Sequence, residues 1–142
     1  MSNADSFSAF DSITMEAIES FHAERDSILF VVHERLRHDS ELNAALEGES
    51  VSRIADETAR IFAENLYVCM KYRLPGALTE YLDWLRSYLT SRQIPRRFLS
   101  RLLQAMQMGC VSFLPSSAAD HMSAVFHELR AREQHTSQEV LA

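Results

Sequence analysis

Glu19 and His22 stand three positions apart, the Glu-x-x-His spacing with which carboxylate-bridged di-iron bundles hold metal. That chemistry needs a second such pair and two further inward glutamates. Phe30, Arg35, Ala118, Ala124 and Arg132 stand three positions before the other histidines, so no second pair exists and no metal site is expected. His22 with Asp26, and Glu34 with His38, have the i,i+4 spacing of solvated helix-surface pairs. Neither Cys69 nor Cys110 has a second cysteine or a histidine close by, which removes the zinc signatures. Both cysteines fall on apolar helix faces, where thiols are buried and unreactive. Three glycines cannot build a nucleophile elbow, a phosphate-cradling loop or a dinucleotide fingerprint. No catalytic residues are assigned, and no enzyme is expected.

Charge gives a sharper signal. From Trp84 to Ala119 there is no acidic residue, but five arginines occur: Arg86, Arg92, Arg96, Arg97 and Arg101. That stretch carries +5, so the rest of the chain carries −11 to reach the net charge of −6. One reading is a helix rim neutralised by acids from the first helix. The other is a patch for an anion or an acidic partner, centred on the turn before Pro95, where exposed amides open a helix. Nucleic acid is not an expected partner, because the overall acidity repels phosphate and no reader motif accompanies the arginines. Tyr72, Trp84 and Tyr88, with Tyr81, gather on two neighbouring helices. They read either as core or as the lining of a site for a planar apolar ligand.

The elements that position these groups are helices. The 142 residues are 46% apolar with only three glycines and three prolines, a composition that argues against an all-β fold and suits one domain. No apolar run exceeds five residues, as in Ile28–Val32, so no membrane span is expected. Two widely separated cysteines and no secretory signal make the cytoplasm the expected compartment. The spacing predicts an N-terminal arm over 1–11, a helical domain over 12–133 and a frayed tail over 134–142. Within the domain, Ser12 is set to cap a long first helix over 13–38, whose stripe of Met15, Ile18, Leu29, Val32 and Leu36 is interrupted by His22 and Arg25. Asp39 or Ser40 caps a short helix to Leu46, closed by Gly48. A third helix follows to about Tyr72, with Ile54, Thr58, Ile61, Asn65, Val68 and Tyr72 on one side. Leu78, Leu82, Leu85 and Leu89 mark a fourth over 76–91. Phe98, Leu99, Leu102, Leu103, Met106 and Cys110 form the buried face of a fifth that Pro95 opens. Met122, Val125, Phe126 and Leu129 form that of a sixth, after Pro115. Ile28–Val32 is apolar on all sides, which predicts either a helix buried against its own core and against a second copy, or a central core helix within one chain. Ile28, Val31 and Val32 are the expected dimer contacts.

Six helices with a proline-started penultimate one are globin-like in outline. The segment from Leu82-Asp83-Trp84-Leu85-Arg86-Ser87-Tyr88-Leu89 through Arg92-Gln93-Ile94-Pro95 to Leu102, Met106 and Val111 resembles the phycobiliproteins, globin-fold light-harvesting subunits. It is also similar to the non-haem globin-like sensor domains of stressosome proteins and to helical domains that accompany cobalamin modules. The resemblance implies an all-α, globin-like bundle of about six helices. It places Arg53 and Asp56, within Ser52-Arg53-Ile54-Ala55-Asp56, where that family holds a propionate and the pyrrole N–H groups of a bilin. The attachment cysteine is missing there, so a bilin or other tetrapyrrole would bind without a covalent bond, contacting Arg53, Asp56, Tyr72, Trp84 and Tyr88. There is no histidine between His38 and His121 to hold a haem iron in the usual way, which leaves His33, Cys69 or Tyr72 as unusual ligands. The sequence thus predicts a non-enzymatic globin-like regulatory or sensor domain acting as a homodimer. Non-covalent tetrapyrrole binding is the alternative.

Overall fold

The computed structural model describes residues 7–46 and 48–141, with side chains for 7–46 and 51–134. Eight helices and no strand occur among the described residues: α1 Ser8–Ser12, α2 Met15–Ala23, α3 Arg25–Arg37, α4 Ser40–Ala45, α5 Gly48–Lys71, α6 Pro75–Ser91, α7 Arg97–Phe113 and α8 Ser116–Leu141. The predicted all-α class holds. The tail predicted to fray after Gln134 continues as helix to Leu141.

The predicted long first helix is two helices. Thr14, and not Ser12, caps α2, its Oγ1 accepting from the Ala17 N–H at 3.2 Å. The chain breaks at Glu24 (φ −99°, ψ 12°), next to the two polar residues that interrupt the stripe. A straight helix would carry His22 and Arg25 into the core together. The break instead sets the Arg25 guanidinium on the His22 carbonyl at 2.8 Å and 3.8 Å from Glu64. It also lets α2 turn Ile18 and Phe21 toward α8, with Phe21 and Phe126 at 6.4 Å between ring centroids. α3 turns Ile28, Val32 and Leu36 inward and packs against both α5 and α7.

The part of the predicted arm that lies within the described residues is also helical. Phe7 and Phe10 are buried, and both ends of α1 are fastened from far along the chain. The Glu128 carboxylate accepts from the Ala9 N–H at 2.9 Å and the Ser8 hydroxyl at 2.9 Å, a cap reaching from α8. Arg73 donates to the carbonyls of Phe10 and Ile13 at 3.3 and 2.6 Å. These bonds satisfy terminal groups that a five-residue helix leaves open at each end.

Asp39 caps α4 as expected, accepting from the Leu42 N–H at 3.0 Å. Gly48, however, opens α5 and does not close α4. The buried face of α5 is Val51, Ala55, Ala59, Phe62, Leu66 and Met70, not the predicted stripe. Of that stripe Thr58 alone is buried, whereas Ile61, Val68 and Tyr72 are exposed. α5 therefore carries two apolar faces, one rich in alanine against the core and a bulkier one on its shoulder. The stripes predicted for α6, α7 and α8 are buried as expected.

Two turns end their helices alike. At the end of α5, Arg73 takes φ 55°, with Leu74 N–H bonded to Cys69 O at 2.9 Å and Arg73 N–H to Met70 O. At the end of α6, Gln93 takes φ 61°, with Ile94 N–H bonded to Leu89 O and Gln93 N–H to Thr90 O, both at 3.0 Å. This is the Schellman arrangement, which normally places glycine where Arg73 and Gln93 stand. α3 crosses α7 closely. A Cβ on Gly109 would lie 2.9 Å from Ile28 Cγ2 and 3.2 Å from the Ile28 Cα and carbonyl oxygen.

Gly109→Ala is expected to cost about 1–3 kcal/mol, because backbone of α3 and not only a side-chain tip must shift. Gln93→Gly is expected to add about 1 kcal/mol by relieving a left-handed non-glycine residue. Arg73→Gly is expected to destabilise despite the same φ, since it removes the anchor on α1. Calorimetric melting of the three variants checks this order.

Candidate functional site

α6 separates two surface features, one on each flank. On the flank toward α5, Tyr81, Trp84 and Tyr88 recur at the i, i+3, i+7 spacing that stacks side chains along one helix face. Tyr81 and Trp84 lie 6.0 Å apart between ring centroids at 27°, and Trp84 and Tyr88 lie 5.2 Å apart at 18°. The Arg92 guanidinium extends the ladder, 5.0 Å from the Tyr88 ring centroid. Trp84 is 54% exposed. Across a cleft of about 130 Å³, α5 presents Glu57, Thr58 and Ile61, the last 51% exposed. Val68 and Tyr72 continue this shoulder along α5. Burial of the Tyr81 phenol pushes it up to about 12, and its hydroxyl has no hydrogen-bond partner among the described residues.

On the opposite flank, a groove of about 420 Å³ lies between the last turns of α6, the turn through Ile94 and Pro95, the start of α7 and Glu133 of α8. Leu89, Ile94 and Leu99 give it an apolar floor, and Arg86, Ser87, Thr90 and Arg96 give it polar walls. Arg86 donates from Nε to the buried Glu133 carboxylate and from Nη1 to Asp83.

The predicted arginine patch therefore divides. Arg97 pairs with Glu41, and Arg101 donates to Asp39 at 2.8 Å and lies 3.6 Å from Glu41. These two are the neutralised rim, with the acids supplied by α4 and its cap and not by the first helix. Arg86 and Arg96 line the groove beside Pro95, and Arg92 belongs to the aromatic ladder.

The predicted tetrapyrrole set does not converge. Arg53 and Asp56 are exposed on the polar side of α5, where Asp56 accepts from Arg60 at 3.2 Å. Tyr72 lies at the far end of the same helix, about 24 Å along its axis from Asp56 at 1.5 Å per residue. Only Trp84 and Tyr88 meet. Of the unusual haem ligands, His33 lies 3.4 Å from the Ser52 hydroxyl, Cys69 is buried and Tyr72 is exposed. The predicted dimer contacts are corrected as well. Ile28 and Val32 are fully buried inside the chain because α3 runs between α5 and α7, and Val31 is half-buried. Phe30 is the exposed member of that run.

Glu19 and His22 are occupied in joining α2 to α5. The Tyr67 hydroxyl donates to Glu19 at 3.1 Å, the His22 ring stacks on Tyr67 at 3.9 Å, and Lys71 lies 3.8 Å from Glu19. Among the described residues no cluster of three or more metal-ligating side chains occurs. Both thiols are buried, and desolvation raises the pKa of each, that of Cys110 to about 12. What sequence reasoning missed is Glu133, whose arginine partner stands 47 positions away in the sequence, and the outward direction of Ile61 and Val68. The 4-3-4 spacing of that stripe was visible, but spacing does not say whether a stripe meets the chain's own core or another surface.

Tyr81→Phe is expected to leave stability unchanged at neutral pH or raise it by up to about 1 kcal/mol, since an unpartnered buried hydroxyl is removed. The folded chain keeps the Tyr81 proton toward pH 12 while the unfolded chain loses it near 10.0. Stability is therefore full below pH 10 and declines as pH rises to about 12. Urea melts across that range check whether Tyr81→Phe flattens the decline.

Among the described residues no helix is long and apolar enough to cross a membrane. Comparison with protein-family models, with curated proteins and with solved structures finds no match.

Proposed function

We propose that the chain is a non-enzymatic, globin-like regulatory or sensor module that works as a homodimer paired through the shoulder of α5 and α6. The observation that supports this most is the seam along α5 on which Ile61, Val68 and Tyr72 are left exposed. Ile54, Thr58, Ile61, Asn65, Val68 and Tyr72 follow steps of four, three, four, three and four, the heptad spacing of a helix seam that packs on another helix. Ile61, Val68, Tyr72 and Trp84 each leave two-fifths or more of their surface in solvent. Aromatic side chains carry about 150–250 Å² each, so Tyr72 and Trp84 alone expose on the order of 200 Å². With Ile61 and Val68 added, the face reaches the few hundred Å² that mark an interaction surface on a monomer.

A second copy fits this face better than an unrelated partner, because the seam is complementary to itself. An antiparallel two-fold pairing of α5 about residues 64 and 65 sets Ile61 against Val68 of the second copy. It also brings Glu57 at one end toward Lys71 of the second copy at the other. Closure by a two-fold axis needs such a self-matching patch. The aromatic ladder of α6 lies beside this seam and would widen the contact toward the roughly 800 Å² per partner of a standard interface. A module of this kind passes on its state by changing how the two copies or their α6 helices meet.

The test is the mass in solution by light scattering. The wild-type chain is expected to run at twice the monomer mass. Ile61→Glu combined with Val68→Glu is expected to halve it while leaving helical circular dichroism intact, because both positions are exposed. A monomeric wild type at high micromolar concentration, or a double variant that remains dimeric, would overturn the reading.

A further inference from the structure

We infer that the groove between α6, α7 and α8 is a binding site for a small organic anion, a carboxylate or phosphate group on a compact apolar body. The argument starts from Arg86. Its side chain is 22% exposed and is held from two sides, Nε by Glu133 and Nη1 by Asp83. The guanidinium is therefore fixed in place before any ligand arrives. Two of its five N–H groups are used by these bonds, leaving donors at the groove wall. Glu133 is buried and its charge is met by Arg86.

Arg96 lines the same groove, and no carboxylate among the described residues lies within ion-pair distance of it. Arg86 is offset by Glu133 and Asp83, so Arg96 is the cation of the groove wall that has no carboxylate partner among the described residues. The Ser87 and Thr90 hydroxyls add donors at the wall. The floor is of the opposite kind: Leu89, Ile94 and Leu99 are all buried and carry no polar side-chain atom. Donors and one unmatched cation above an apolar floor select a ligand with an anionic head and an apolar body. A volume of about 420 Å³ suits a body and head of about a dozen non-hydrogen atoms.

The site is built by the turn that ends α6. Gln93 in the left-handed conformation sends the chain back so that Ile94 closes on the Leu89 carbonyl and Pro95 starts the approach to α7. Arg96 is thereby carried to the same side of α6 as Arg86, although the two are ten positions apart in the sequence. The aromatic ladder lies on the other flank, so this site does not depend on the dimer face.

Titration calorimetry with 4-phenylbutyrate, phenyl phosphate and 4-phenylbutylamine tests the inference, with inorganic phosphate as the head group alone. At least one of the two aromatic anions is expected to bind once per chain, and which of them binds more tightly identifies the head. The amine is expected not to bind, and inorganic phosphate to bind at least tenfold more weakly than the better anion. Arg96→Gln, at an exposed position, is expected to weaken that anion at least tenfold with an unchanged circular dichroism spectrum. Amide chemical shift changes are expected to centre on Ser87, Thr90, Ile94 and Leu99. Failure of both anions to bind at millimolar concentration would overturn the inference. So would binding of the amine as tight as that of the anions, an unchanged affinity in Arg96→Gln, or shift changes centred elsewhere.

Discussion

The close passage of α3 over α7 sets the plan of the molecule. At Gly109 the two backbones approach so nearly that the absent side chain is what permits contact with Ile28. α3 is thereby held deep in the chain, with α5 on its other side. A helix packed on two sides buries a wide apolar surface, which takes in Ile28 and Val32 and leaves Phe30 of that run exposed. α5 then lies outside α3, and α6 lies against α5. The outer pair can satisfy only one face on the core, which is why apolar residues remain uncovered on its shoulder.

Long-range polar contacts then fix what the apolar packing leaves free to slide. Glu128 and Arg73 hold the two ends of α1, Glu19 and Lys71 tie α2 to α5 through Tyr67, and Arg86 joins α6 to α8 through Glu133. The pairs with little exposure matter most, since solvent weakens the others. The Arg86–Glu133 pair is the least exposed of them, and removing Arg86 would leave Glu133 buried without its counter-charge. It is also the pair that shapes one wall of the groove, so the bond that docks α8 on α6 also holds that wall in place.

Much of the helical plan was legible because the leucine, phenylalanine and methionine stripes of α6, α7 and α8 are the faces that the core buries. Asp39 was legible as a cap from its type and place. α5 was misread because its buried face is built from Ala55, Ala59 and Ala63, which give a faint apolar signal, while Ile61 and Val68 on the shoulder give a strong one. The break at Glu24 carries neither glycine nor proline, and its cause is the pull of two separate packing partners on α2 and α3. The arginine patch was half legible. Its charge was plain, but which arginines are neutralised depends on Asp39, Glu41 and Glu133, residues that folding brings near from distant positions. The residues expected around a tetrapyrrole do not come together, since Asp56 lies in α5 and Tyr72 just past its end, about 24 Å along the helix axis.

The central claim is that two copies meet along α5, and a distance between spin labels measures this directly. Glu64→Cys places a label beside the seam near the proposed two-fold axis, while the buried Cys69 and Cys110 stay unlabelled. Helices packed at 8–10 Å between axes should hold the two labels within about 25 Å of each other in pulsed electron–electron resonance. A label at Ser112 on α7 should show a much longer separation. No coupling between copies at residue 64, or a short distance at residue 112 in its place, would contradict the account.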